Sequence, residues 1–301
     1  MKQAVSVSLG ACSGDFERTV HWNHAELLLR REGAEGDMQR AEKRIRELDG
    51  RVDAIGLGGI DIALEVQGER FYIGDGKRLS QAAVKTPVVD GSGLKHTLER
   101  EAVRKLAENG KIGHGTKALM VSALDRAGMA EALLEAGCQC IFGDLIFNMA
   151  IDYPLATLNE LAELAAKYRT RLLTMPFSML YPTGARQTER RPDARFAHYY
   201  LEADLIAGDR HLIWKHMPDG LQGQTILTNT TRPETLQQFK QAGAGRVITT
   251  TPDLEGVTGG TNLMEAALCA LAGKGLEPLA PHEYAEWVNR LGWHGSEHTL
   301  Q

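Results

Sequence analysis

The chain has 301 residues, with 34 Lys and Arg against 39 Asp and Glu and a formal net charge of −5. This length excludes a peptide-sized module and is enough for two domains that each bury a core without disulfides. The mildly acidic balance gives no general attraction to nucleic acid or anionic lipid, so either partner would need a local basic patch. The composition is that of an ordinary globular protein.

The amino terminus contains a segment that looks like a lipoprotein cleavage box, Leu9-Gly10-Ala11-Cys12. The apolar stretch before it, Ala4 to Leu9, is interrupted by serines and is shorter than the roughly 7–15 residues of a signal-peptide core. No stretch approaches the roughly 18 apolar residues that span a bilayer. We therefore expect a cytoplasmic protein that does not bind membranes.

The four cysteines are too few and too scattered for a disulfide framework. Cys138 and Cys140 lie two positions apart in a predicted strand, so their side chains are expected on one face. A buried pair is favoured over a redox or metal role, because no second cysteine pair completes a zinc site. The sequence therefore predicts no metal centre.

The first third of the chain predicts a mixed α/β unit. Alternation and apolar runs predict strands, and Asp37 is expected to begin a helix whose apolar stripe ends at Leu48. A short helix is predicted from Lys77. The predicted strands are Gln3–Leu9, Arg18–Leu29, Val52–Leu57, Phe71–Ile73 and Val88-Val89.

Beyond a predicted helix at Leu94–Asn109, strands alternate regularly with helices. Predicted strands are Ala118–Val121, Cys138–Phe142, Arg171–Met175, Asp204–Ala207, Thr225–Thr228 and Arg246–Thr249; predicted helices are Arg126–Ala136, Leu155–Tyr168, Arg232–Gln241, Leu263–Ala272 and His282–Leu291. This alternation predicts βαβ crossovers and a doubly wound, Rossmann-like parallel sheet. We expect a mixed α/β substrate domain at 1–114, a Rossmann-like domain at 115–280 and a terminal helix at 281–301.

One segment, Thr86-Pro87-Val88-Val89-Asp90-Gly91-Ser92-Gly93-Leu94, is followed by a helix, a glycine-rich break and the strand-turn-helix Lys117–Ala136. In this order the chain resembles the shikimate/quinate 5-dehydrogenase family, letter by letter in Asp-Gly-x-Gly and architecturally from about Ile73 to Ala272. The resemblance implies NAD(P)-dependent oxidation of a ring hydroxyl on a small polyhydroxylated carboxylic acid. It implies that Asp90 is the catalytic aspartate and that Lys77 is its partner lysine.

The chemistry of such a pair can be stated independently of the family. Loss of a hydride from a secondary alcohol requires loss of the hydroxyl proton, which a lysine of lowered pKa can accept while a carboxylate orients both groups. In the alternative interpretation Asp90 caps a helix or binds its own turn, and Lys77 is solvated. Lys85 and Lys95 compete for the role of the base.

The predicted cofactor turn departs from the dinucleotide fingerprint. Ser122 and Leu124 replace the first two glycines, and Asp125 puts a negative charge where phosphate would bind. Ser122 is a candidate cofactor contact and Arg126 a candidate phosphate clamp, although helix capping explains Asp125 and Arg126 equally well. Asp144 lies 22 positions after Ser122, close to the spacing of an acid that binds a ribose hydroxyl, which favours NAD over NADP. An ordinary aspartate at the end of a strand is the alternative.

Polar loops that follow later strands place Asn229 and Asn262 near the predicted crevice. Asn229 is a candidate for cofactor binding and Asn262 for substrate binding; in the alternative interpretation Asn229 only caps a helix. Four arginines between Arg186 and Arg195 are interleaved with acids, which favours a solvated loop over an anion clamp. The rival functions are a nucleotide-binding transferase and a non-catalytic nucleotide or metabolite sensor. We expect a small-molecule partner, no nucleic acid, and leave a homodimer open.

Overall fold

The computed structural model describes residues 1–22, 25–179, 181, 183–254 and 258–300. The strands are β1 (Lys2–Ser8), β2 (Phe16–Trp22), β3 (Ala25–Gly33), β4 (Ala54–Gly58), β5 (Ala63–Val66), β6 (Glu69–Tyr72), β7 (Val88–Val89), β8 (Lys117–Met120), β9 (Gln139–Phe142), β10 (Leu205–Gly208), β11 (Thr225–Thr228), β12 (Arg246–Thr249) and β13 (Glu297–Thr299). The helices are α1 (Met38–Leu48), α2 (Gly74–Ser80), α3 (Ser92–Lys95), α4 (Leu98–Glu108), α5 (Ala127–Glu135), α6 (Asp144–Met149), α7 (Leu158–Thr174), α8 (Ala197–Leu201), α9 (Arg210–His216), α10 (Pro233–Gln241), α11 (Thr261–Ala272) and α12 (Pro281–Leu291).

The chain forms two units, each assembled from separate segments. The first unit contains Met1–Leu94, Ala166–Gln187 and Gly260–Trp293, and the second contains Lys95–Ala165, Thr188–Gly259 and His294–Gln301. The predicted boundaries at 114 and 280 differ from this division. Helix α4 packs against α5 in the second unit, and α11 packs against β1, β3 and β4 in the first.

The first unit is built on a five-stranded sheet in the order β2-β3-β1-β4-β7. Four strands are parallel, and β2 pairs antiparallel with β3 at the edge. The run Arg18–Leu29, predicted as one strand, is therefore divided between β2 and β3. The hairpin β5-β6 forms a separate two-stranded sheet.

Helix α1 covers one face of the first sheet. As predicted, the Asp37 side chain caps it by accepting from the backbone N–H groups of Gln39 and Arg40. The buried side chains of Ile45 and Leu48 pack in the core formed with β1 and β4. Helix α11 also packs on this sheet and is apolar on most of its surface, as expected for a buried helix.

The second unit is built on a six-stranded sheet in the order β13-β12-β11-β10-β8-β9. All strands are parallel except β13, which pairs antiparallel with β12. The chain is thus a mixed α/β protein with parallel sheets.

The order of the parallel strands reverses direction between β8 and β10, which we call the switch point. It differs from the 3-2-1-4-5-6 order of the classic dinucleotide-binding fold.

The predicted strand at Arg171–Met175 is wrong, because α7 continues to Thr174. A short apolar run such as Leu172-Leu173 does not distinguish a strand from a buried helix turn. The sequence interpretation also missed α6, α8, α9 and β13. Across the parts of the chain that the structure describes, no helix has the length and apolar character required to span a membrane.

The packing of α11 predicts a steric requirement at Gly56 in β4. A Cβ atom at Gly56 would lie 2.5 Å from the backbone oxygen of Asn262, so Gly56→Ala forces the helix away from the sheet. We expect a loss of about 1–3 kcal/mol in the free energy of unfolding, measured by urea denaturation. Gly113→Ala is the matched control, because its Cβ would meet only one atom within 4 Å, at 3.9 Å. Equal stability of the two variants would contradict the packing described here.

Candidate functional sites

The Asp-Gly-Ser-Gly segment forms a buried turn after β7 in the first unit. The Asp90 carboxylate accepts from the backbone N–H groups of Ile62, at 2.6 Å, and Ser92, at 3.0 Å. Gly91 has φ of +99°, a conformation that favours glycine. Asp90 therefore binds its own turn, as the alternative interpretation of the sequence states.

The same turn is held by Glu265 of α11, a residue that the sequence analysis did not consider. Its Oε2 accepts from the Gly91 N–H at 2.5 Å, and its Oε1 accepts from the Gly93 N–H at 3.2 Å. Tyr284 of α12 donates its hydroxyl to Oε1 at 2.5 Å. Three donors from two distant segments thus converge on one buried carboxyl group.

Burial raises the pKa of Glu265 to about 7, and the nearby Asp90 carboxylate adds to the increase. The three donors oppose it, because hydrogen bonds to a carboxylate stabilise the charged form. Glu265 therefore exchanges a proton near neutral pH. This is the pKa range in which a carboxyl group serves as a general acid or base.

Lys77 does not join this arrangement. It lies on the exposed side of α2, where its ammonium is 5.2 Å from the centre of the Tyr72 ring. The buried positions of the helix are Gly76 and Leu79. Within the described parts of the chain no ion pair joins Lys77 to Asp90, so the predicted amine–carboxylate couple is not formed. Lys95, a predicted competitor, pairs instead with Asp125 at 2.9 Å in the second unit.

In the second unit the side chain of Asp144 forms hydrogen bonds with the turn after β8. Its carboxylate accepts from the backbone N–H groups of Ala123, at 2.9 Å, and Leu124, at 3.0 Å, and from the Ser122 hydroxyl at 3.2 Å. Burial raises the pKa of Asp144 to about 6, against the opposing effect of these donors. Asp144 thus remains largely ionised at pH 7.

This geometry does not fit a dinucleotide. A pyrophosphate would require the free amides of the turn after the first strand, and two of them already bond a carboxylate that repels phosphate. The predicted cofactor contacts of Ser122 and Asp144 are therefore replaced by a contact between the two side chains. The physical reason is that the buried Asp144 needs donors, and the turn supplies them.

Arg126, the predicted phosphate clamp, is buried among carboxylates at the switch point. Its NH1 donates to Glu99, its NH2 lies 3.3 Å from Asp209, and its Nε lies 3.3 Å from Asp125. Asp209 in turn caps α9 by accepting from the backbone N–H groups of His211 and Leu212. Arg126 is 2% exposed, so its charge neutralises the chain's own acids.

Glu99 is fully buried at the base of this cluster. Burial raises its pKa to about 7, while Arg126 and Lys95 lower it. Its Oε2 atom has no hydrogen-bond partner among the described residues. The group defined by Lys95, Glu99, Asp125, Arg126 and Asp209 is called the switch-point cluster below, and it contains three acids and two bases.

The two asparagines lie in different units. Asn229 follows β11, where its Oδ1 accepts from the Thr228 hydroxyl at 3.3 Å and its backbone oxygen accepts from Thr251. It does not cap α10, whose N-cap is Arg232. Asn262 lies in the first turn of α11 and donates to the Ser6 hydroxyl at 2.6 Å. Asn262 therefore joins α11 to β1 in the first unit.

The arginine-rich loop also uses its charges internally. Arg190 contacts Asp219 at 2.8 Å, Arg191 contacts Glu189, and Arg195 contacts Asp193. These ion pairs agree with the interpretation of a solvated loop rather than an anion clamp. In the described part of the chain, no group of three or more His, Cys, Asp or Glu residues is arranged to hold a metal.

Sequence reasoning missed Glu265, Glu99 and Asp209. The first two lie in the middle of predicted helices, where an acid normally faces solvent. A usable signal was present for Glu265: the flanking Leu263, Met264, Ala266 and Ala267 leave little room for a solvated face. Asp209 is a helix-capping residue directly before α9, a helix that the sequence interpretation did not predict.

Two family models match consecutive segments of the chain. Residues 93–300 match the family described as Domain of unknown function (DUF8754), and residues 3–90 match Domain of unknown function (DUF8753). The chain belongs to the DUF8754 family. No curated protein matches it.

Solved structures give only distant likenesses. A solute-binding protein of an ABC transporter from Burkholderia multivorans is 11% identical, with 93% of this chain and 98% of that chain covered and a TM-score of 0.38. An NAD-dependent malic enzyme from Thermotoga maritima is 12% identical, with 91% and 72% covered and a TM-score of 0.34. An arabinose-binding periplasmic protein from Shewanella sp. ANA-3 is 10% identical, with 99% and 92% covered and a TM-score of 0.33. At these scores the likenesses carry no argument about function.

The switch-point cluster predicts a large structural cost for the loss of Arg126. Arg126→Met leaves buried carboxylates without their counter-charge, so we expect the free energy of unfolding to fall by about 3–5 kcal/mol. In the Glu99→Gln background the loss is expected to be smaller by more than about 1 kcal/mol, because one of these charges is already removed. Urea denaturation of the four proteins measures this coupling. Additive losses would show that Glu99 and Arg126 do not interact.

The pKa of Glu265 predicts a pH-dependent stability. Its pKa is raised on folding, so the native state binds the extra proton between about pH 4.5 and 7, and the stabilisation is lost as pH rises through this window. Glu265→Gln lacks this titrating group and has no such loss. We therefore expect its free energy of unfolding, relative to that of the wild type, to increase by more than about 1 kcal/mol from pH 5 to pH 8. Glu286→Gln, on the exposed face of α12, controls for the removal of one negative charge. A difference between Glu265→Gln and wild type that is constant with pH would refute the elevated pKa.

Proposed function

We propose that the second unit binds a small, uncharged, hydroxyl-rich molecule at the carboxyl edge of its parallel sheet. The observation that carries this proposal is the position of the switch-point cluster, directly after β8 and β10. In open α/β sheets, ligands bind outside the carboxyl ends of the strands, at the point where the strand order reverses. Buried ionisable groups with shifted pKa values concentrate at such functional sites.

The charge at this edge favours a neutral ligand. The cluster and the adjacent Asp144 together contain four acids and two bases, and Asp144 already bonds the amides that an anion would need. Both phosphate and carboxylate ligands would meet repulsion there. Ser122 and Asn229 supply hydroxyl and amide groups of the kind that bind sugar-like hydroxyls.

The test is isothermal titration calorimetry of the full chain with neutral pentoses and cyclic polyols, paired with their phosphate or carboxylate counterparts. We expect a neutral compound to bind at least about tenfold more tightly than its charged counterpart, and Asn229→Ala to weaken binding by about tenfold. Asn289→Ala, on the exposed surface of α12, is the matched control. Preferential binding of the anions, or the absence of binding by every neutral compound, would reject the proposal.

Oxidation of a ring hydroxyl of a quinate-like acid with NAD(P), as the family resemblance implies, is the second candidate. The observation in its favour is the Asp90–Glu265 pair, which holds a carboxyl group of pKa about 7 at the Asp-Gly-Ser-Gly turn. The arrangement of Asp144 opposes cofactor binding at the predicted turn. The cytoplasmic location stays a prediction.

Reduced nicotinamide dinucleotide, followed by its fluorescence, separates the two candidates. The first candidate requires no fluorescence change, in wild type and in Arg126→Ala alike. A saturable change in the wild type would favour the dehydrogenase. In that case Lys77→Met should leave both binding and turnover intact, because Lys77 is exposed and lies against Tyr72.

A further inference from the structure

A cavity lies at the amino edge of the sheet in the second unit, where β8, β10, β11 and β12 begin. Its volume is about 450 Å³, within the range of small-molecule pockets. Its apolar lining comes from Leu106, Ile112, Leu205 and Ile248. This apolar surface provides room for the body of a small organic ligand.

Two cations line the same cavity, Lys111 and Arg246. Both contact Glu297 of β13: the Lys111 ammonium bonds Oε2, and Arg246 Nε lies 3.2 Å from Oε1. The three side chains are 35%, 41% and 36% exposed, respectively, so solvent reaches the arrangement. The Glu297 carboxylate therefore already lies against both of these cavity-lining cations.

The acid that lines the cavity does not compete for these cations. Asp204 Oδ2 accepts from the backbone N–H of Lys117 at 2.9 Å, which fixes it at the start of β8. Lys111 lowers the pKa of Glu297, with a smaller contribution from Arg246, so Glu297 is ionised at neutral pH. Glu297 is thus the carboxylate that an incoming anion would have to displace.

The loop before β8 also lines the cavity. Gly115 has φ of +94°, and a Cβ atom there would meet no atom within 4 Å. The His114 ring lies against Gly137, where a Cβ would come within 2.7 Å of it. His114 lines the cavity, and the missing side chain at Gly137 leaves room for its ring.

We propose that this cavity binds a small organic carboxylate, whose carboxyl group replaces that of Glu297 between Lys111 and Arg246. The apolar part of the ligand packs on Leu106 and Ile248. Glu297 lies on a three-residue edge strand that pairs only with β12 among the described strands, so its side chain can turn away without disturbing the parallel strands. This site is independent of the one proposed at the carboxyl edge.

Benzoate is the probe, with acetate and inorganic phosphate as comparisons, all titrated into the ¹⁵N-labelled full chain. The backbone amides of Ile112, Gly113 and Gly115 report binding. We expect saturable benzoate shifts, with acetate binding at least about tenfold more weakly because it lacks an apolar body. Shifts that are absent from these amides, or phosphate binding tighter than that of benzoate, would overturn the proposal.

Two substitutions test the mechanism. Glu297→Gln removes the internal competitor and is expected to tighten benzoate binding by about three- to tenfold, whereas Arg246→Gln is expected to weaken it by about tenfold. Glu286→Gln and Arg51→Gln, both exposed positions in the first unit, are the matched controls. The ¹⁵N spectrum of each variant verifies its fold. Unchanged affinity in Arg246→Gln, or weaker binding in Glu297→Gln, contradicts the proposal.

Discussion

The burial of carboxylates is the constraint on which both units depend. An ionised carboxylate that leaves water must gain donors or a counter-charge, because the alternative costs several kcal/mol or neutralises the group. Glu265 gains two backbone amides and a tyrosine hydroxyl, Asp144 gains two amides and a serine hydroxyl, and Glu99 gains Arg126. Glu265 thereby fixes the Asp-Gly-Ser-Gly turn, Asp144 fixes the turn after β8, and Glu99 joins α4 to Arg126.

A consequence is that carboxylates of the chain itself bond to the donors and cations that an anionic ligand would need. Asp144 bonds the amides after β8, and Glu297 bridges Lys111 and Arg246 at the opposite edge. The two cases differ in burial. Asp144 is 3% exposed and cannot leave without abandoning its donors, whereas Glu297 is a partly exposed side chain that can exchange with solvent anions. Under the two proposals above, the first arrangement selects against anionic ligands, and the second allows competition by them.

The sequence predicted individual strands and helices better than it predicted which distant residues contact one another. Strands β11 and β12 have the predicted bounds, and Asp37 caps α1 as expected, because periodicity and capping are local signals. The interleaved units were not predictable, since nothing in the apolar surface of α11 specifies which sheet it covers. The contacts of the candidate site were not predicted for the same reason, because they join residues that are far apart in the sequence. Asp90 was found through its motif, but Glu265 lies 174 positions from Gly91, and only the fold brings them together.

The parallel strands of the two units share one order. In the first unit β3, β1, β4 and β7 are neighbours in the sheet in that order, and in the second β9, β8, β10 and β11 follow the same order. The equivalent reversal in the first unit lies between β1 and β4.

That position is filled by the chain itself. A Cβ at Gly10 would lie 2.5 Å from Arg31 and 2.6 Å from Gln187, and Arg31 also donates to the Ser8 hydroxyl. Glycine is required there so that two long side chains can approach the backbone, and they leave no space for a ligand at Gly10. In the second unit the charged switch-point cluster lies at the reversal, and the short side chains of Ser122 and Asn229 follow β8 and β11. The same strand order thus has an edge closed at Gly10 in the first unit, whereas the carboxyl edge of the second unit is the one at which we propose binding.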